Sequence, residues 1–140
     1  RLEILLGIKE GATTLGVLKG FVLPEEKPED ALRRVLECEA GWKPEGIPAE
    51  VVFEGYTYDP RQTDNAWVES QALLVIPPEA PGMLQASGQF DEIRWWPLDA
   101  ETINRVSPDQ ARFIRDSVPR LVEANRMDQD SANRLLMATG

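Results

Sequence analysis

The sequence predicts an α/β fold, in which short strands and amphipathic helices share one core. Two observations predict it. Residues 2–8, 51–58, 66–76 and 90–98 are short apolar or alternating runs bounded by Gly, Pro or charged residues, the pattern of strands. Residues 28–40, a stretch opened by Ser107-Pro108, and residues 128–137 instead repeat their apolar positions at helical spacing.

Composition bounds the rest. At 140 residues the chain suits one domain, and 42% hydrophobic with 28% charged residues is ordinary for a globular protein. We place the domain at residues 1–125, with residues 126–140 as a C-terminal helical extension. The apolar run starts at Leu2, directly after Arg1, so the domain is read as lacking a first strand or as part of a longer chain. A net charge of −9 argues against a nucleic-acid partner, because a phosphate backbone needs clustered Lys and Arg. No apolar run approaches the roughly 20 residues of a membrane span, and no signal-peptide pattern opens the chain, so no membrane partner and a cytoplasmic location are expected. One cysteine forms no internal disulfide, and the lack of histidine removes His-based triads and His metal sites. Any chemistry must use carboxylates, a metal, or neither.

Taken in order, residues 2–8 form a buried strand and Leu15, Val17 and Leu18 a second apolar piece leading to Lys19 and Gly20. Pro28 suits the first helical position, Glu29 and Asp30 complement the helix dipole, and Gly41 ends the helix. Residues 43–49 are a loop. Residues 51–58 and 66–76 should pair as a long hairpin turned at Asp59-Pro60-Arg61. A Pro- and Gly-rich loop at 77–88 precedes an edge strand ended by Pro97, on which Trp95 and Trp96 should face opposite sides, one to the core. Ser107-Pro108-Asp109-Gln110 has capping-box form, and Pro119 should kink or divide the helix that follows.

The spacing of residues 20–42 carries more than a helix. Gly20, Glu26, Arg34, Leu36, Glu39, Gly41 and Trp42 stand at the intervals of the Nudix box, which this stretch resembles. Two positions depart from that pattern: Val35 and Cys38 stand where the family has glutamates. Further on, Asp59-Pro60-Arg61, Thr63-Asp64-Asn65-Ala66-Trp67 and Glu69 are similar to a segment shared by the mitochondrial-type ADP-ribose pyrophosphatases and the Nudix-like domain of the ADP-ribose-gated melastatin channel. Residues 92–99 resemble the strand and acidic turn before the family's last helix.

The resemblance implies a mixed sheet sandwiched between helices (α/β/α). It also implies Glu39 and Glu26 as catalytic and metal-binding groups, Asp59, Arg61, Asp64, Asn65 and Lys19 as ligand contacts, and Gly20, Arg34 and Gly41 as structural residues. A solvated turn stays open for Asp59 and Arg61, and a solvated surface lysine for Lys19. At about 100° per residue, positions 35, 38 and 39 share one helical wall while Glu37 points away. In the family that wall gathers hard carboxylates for Mg²⁺; here a valine and a soft thiol replace two of them, with Cys38 expected as inert packing. Loop carboxylates such as Glu79 or Glu92 are alternative bases. Three functions follow. The first is a domain that binds ADP-ribose or a related nucleoside diphosphate derivative with hydrolysis weak or lost. The second is an active Mg²⁺-dependent hydrolase releasing AMP and ribose 5-phosphate. The third is a non-catalytic module for homodimerisation or attachment to a longer chain. Mg²⁺ is the cofactor only if the chain is active.

Overall fold

The computed structural model describes residues 2–20, 22–43, 49–58, 67–77, 81 and 84–139, and of residues 56–58 and 67–70 the backbone alone. Its elements run β1 (Glu3–Ile8), α1 (Pro28–Ala40), β2 (Ala49–Tyr58), β3 (Trp67–Val75), β4 (Glu92–Pro97), α2 (Ala100–Ile103), α3 (Pro108–Glu123) and α4 (Gln129–Thr139). The expected α/β character holds. Among the described residues the strands form two antiparallel ladders, β1 with β4 and β2 with β3.

The first ladder joins β1 to a strand some ninety residues on, from Glu3 opposite Pro97 to Ile8 opposite Glu92. Residues 15–16 extend it as isolated bridges: Gly7 and Gly16 exchange two 2.9 Å hydrogen bonds, and Leu15 lies parallel to Val106. The second ladder pairs β2 with β3 antiparallel, as expected, with a register shift between Val51 and Phe53. It docks on α3, where the Phe53 and Phe113 rings lie 4.8 Å apart and Arg120 meets Glu50 at 2.7 Å.

The core is apolar. Leu6, Leu15, Ile103, Val106, Ile114, Val118, Ala132 and Leu135 form one buried cluster. The segment expected as an extension therefore supplies Ala132 and Leu135 to the same core as β1. Asp128 starts α4 by accepting the Ser131 N–H at 2.6 Å, and this bond holds its carboxyl below the ordinary aspartate range.

Three local expectations resolve here. Of the kink and the break expected at Pro119 the break is absent: α3 continues through it to Glu123, with Ile114, Val118 and Leu121 all buried on its core face. The capping box does not form: the Ser107 side chain makes no cap bond, and Gln110 instead accepts the Val17 N–H at 3.0 Å, tying the 15–17 piece to α3. Trp96 packs on the core as expected of one of the two tryptophans, with the Arg94 guanidinium 3.9 Å and that of Arg105 5.0 Å from its ring centroid, while Trp95 is half-buried rather than exposed. None of the described helices is long and apolar enough to cross a membrane.

Candidate functional site

Helix α1 starts where the sequence places it. Lys27 is extended (φ −76°, ψ 149°), Pro28 opens the first turn, and Glu29 and Asp30 occupy that turn. Ala31, Val35, Leu36 and Ala40 are buried. Gly41 closes the helix in the left-handed region (φ 65°), where a side chain would be strained; its N–H bonds the Glu37 carbonyl at 3.0 Å and the Trp42 N–H reaches Leu36 at 3.3 Å.

Before the helix, the chain turns at residues 23–26, with Pro24 second and Glu25 at φ 65° in the position where a type II turn needs positive φ. This turn aims Glu26 back at α1. Arg34 Nε donates to one Glu26 carboxylate oxygen at 3.1 Å and its NH2 to the other at 3.0 Å, a two-point fork. The Leu23 N–H adds a third bond at 3.0 Å. The Arg34 hydrogen bond, then that of Leu23, holds the Glu26 carboxyl below the usual glutamate range, and Glu26 in turn raises Arg34. Gly20 sits over the same wall, where a Cβ would lie 2.6 Å from Val35 Cγ2.

The far end of α1 meets a segment that sequence reasoning missed. Glu39 accepts the Gln89 N–H on its carboxylate at 2.8 Å, and a Cβ on Gly88 would overlap that carboxylate. The Ser87 N–H bonds the Glu39 carbonyl at 3.2 Å, Ser87 Oγ the Cys38 carbonyl at 2.7 Å, and the Gln85 N–H the Ala40 carbonyl at 3.0 Å. Most of these contacts are made by backbone donors, which leave no side-chain signature in a sequence. Only the small Gly88 and the short hydroxyl of Ser87 could have hinted at a close approach.

Other expectations resolve individually. Cys38 is exposed and so is not packing, because position 38 lies outside the buried stripe formed by residues 31, 35, 36 and 40. Glu37 points away, pairing with Lys43 at 3.5 Å. Lys19 is exposed. Glu92 is exposed at the start of β4, 3.5 Å from Arg94. Asp59, Arg61, Asp64, Asn65 and Glu79 lie outside the described residues, as does the side chain of Trp67. A cavity of about 310 Å³ opens elsewhere, beside Leu98, Asp99, Arg126 and Met127, and no expected site residue lines it.

The fit to Mg²⁺ follows from the donor set. Among the described residues no three Asp, Glu or Cys groups gather as a metal site. Arg34 places a cation on the Glu26 carboxylate, Gln89 occupies Glu39, and Val35 and Cys38 offer no hard oxygen. Among the described residues, this donor set does not fit the ion.

The profile of the family described as NUDIX domain matches residues 3–117, most of the chain. The chain belongs to the NUDIX family. The match ends within α3, so α4 lies beyond it although it completes the core. No curated protein matches the sequence. Among solved structures, this NUDIX domain is similar to the NUDIX domain of Shewanella oneidensis NrtR, determined as a complex with ADP ribose, with a TM-score of 0.61 and 20% identity over 85% of this chain and 77% of that one. At that identity the likeness shows the fold alone.

Proposed function

We propose that this NUDIX domain binds ADP-ribose or a related nucleoside diphosphate derivative, with hydrolysis weak or lost. The observation that carries the reading is the double engagement of the remaining box acids, Glu26 in a fork with Arg34 and Glu39 on the Gln89 N–H. Pyrophosphate cleavage in this family needs carboxylates free to hold Mg²⁺ and activate water, and here they act as hydrogen-bond acceptors within the fold. The ADP ribose bound by the NUDIX domain of NrtR supports the choice of ligand class. Asp59, Arg61, Asp64 and Asn65 are the proposed ligand contacts. The Arg61 guanidinium suits a bidentate grip on a diphosphate, and the exposed Lys19 offers a second cation beside Gly20. In this reading no metal is required; Mg²⁺ belongs to the hydrolase alternative.

Calorimetric titration of ADP-ribose into the protein is expected to show saturable binding, and prolonged incubation with Mg²⁺ no AMP. Arg61→Ala should weaken binding about tenfold or more, the loss expected for a charge-assisted contact. Steady AMP release with Mg²⁺ that Glu39→Gln abolishes would establish the hydrolase instead, and absence of binding to a panel of nucleoside diphosphate derivatives would remove both.

A further inference from the structure

The C-terminal turn of any α-helix leaves four carbonyls without intrahelical partners. In α1 each is accounted for, and three of the four by one remote segment. Glu37 is met by Gly41, and Cys38, Glu39 and Ala40 by Ser87 Oγ, the Ser87 N–H and the Gln85 N–H. Residues 85–87 thus cap the helix from about fifty positions away in sequence, and the Glu39 side chain extends the same seam by one further bond, to Gln89.

A carboxylate at this end of a helix stands on the wrong side of the dipole, where a cation would be favoured. A metal would relieve that in a hydrolase; here a backbone N–H does so. Gly88, between the two donors, has no side chain to push the carboxylate out, and a methyl group placed there would occupy its position. The backbone of Gly88 lies outside the left-handed region, so alanine at 88 is opposed by this contact rather than by its own conformation.

We propose that Glu39 is a positioning residue that latches residues 85–89 onto the C-terminal end of α1, and that it does not serve as a metal ligand. The assignment deepens the proposed loss of hydrolysis and rests on that reading only for its consequence; the latch itself is read without any ligand.

The test is thermal unfolding of the full chain for wild type, Glu39→Gln, Glu39→Ala, Gly88→Ala and the Glu39→Ala/Gly88→Ala double variant, each in EDTA and in millimolar Mg²⁺. Glu39→Ala and Gly88→Ala should each lower Tm by about 3–6 °C. The double variant should fall little further than Glu39→Ala, since the alanine at 88 then has no carboxylate to displace. Glu39→Gln should keep most of the wild-type Tm, because its amide oxygen still accepts the Gln89 N–H. All values should be the same with and without Mg²⁺. Additive losses in the double variant overturn the latch. So does a wild-type Tm that rises with Mg²⁺ and no longer rises in Glu39→Gln, the signature of a ligand carboxylate. Failure to bind ADP-ribose would sink the proposed function while leaving this cycle intact.

Discussion

The cluster beneath β1 and the surroundings of α1 are held by different forces. Leu6, Leu15, Ile103, Ile114, Val118 and Leu135 meet as apolar side chains from five parts of the chain. Helix α1 buries Ala31, Val35, Leu36 and Ala40 outside that cluster, and is clasped by directional bonds, the Glu26–Arg34 fork midway along it and residues 85–89 at its C-terminal end. Apolar burial tolerates exchange of similar shapes, whereas a clasp depends on a particular donor meeting a particular acceptor. The contrast explains how a NUDIX domain can keep its fold while two box acids become Val35 and Cys38. Apolar burial in the first region is the larger source of stability, while the bonds of the second also fix where the remaining box acids lie.

Three variants would break or sharpen that contrast. Leu6→Ala, at 0% exposure, should cost about 2–5 kcal/mol and loosen the whole domain, seen as an early urea midpoint and raised amide exchange everywhere. If exchange rose only around β1, the cluster would not be the common core. Gly41→Ala should cost about 1 kcal/mol for forcing a side chain into the left-handed region at φ 65°, with faster exchange confined to the end of α1 and residues 85–89. Spread of that effect to β1 and β4 would merge the two regions.

The smallest effect is the dependence on acid. Glu26 has a folded pKa below its ordinary value of 4.5, so its contribution to stability is fully present above that value and is lost as pH falls through the lowered folded one. Glu26→Gln should therefore be less stable than wild type at neutral pH and should converge on it in acid. A stability gap that stays constant through the acid range would show that the fork does not sense the carboxylate's charge.

The boundaries of α1 were legible because its stop signals are local: Pro28 fixes φ at the start, and Gly41 admits the left-handed turn at the end. The antiparallel pairing of β2 with β3 was legible for a similar reason, since alternation acts within a few residues, while the turn expected at Asp59-Pro60-Arg61 lies outside the described residues. Gln110 was misread because a capping glutamine and a glutamine that grips Val17 look identical in sequence; only the arrival of residues 15–17 beside α3 decides between them. Cys38 was misread because helical periodicity places it on the wall of Val35, yet that wall is covered at Val35 and open at Cys38.

By itself, the sequence determined the intervals of Gly20, Glu26, Arg34, Glu39 and Gly41, and with them the family and the count of acids on one helical face, because helical geometry turns spacing into direction. Tertiary structure alone decided what those acids do. The partner of Glu39 is a backbone N–H fifty residues away, and such donors are the same in every residue but proline, so only the folded path of residues 85–89 brings one to the carboxylate.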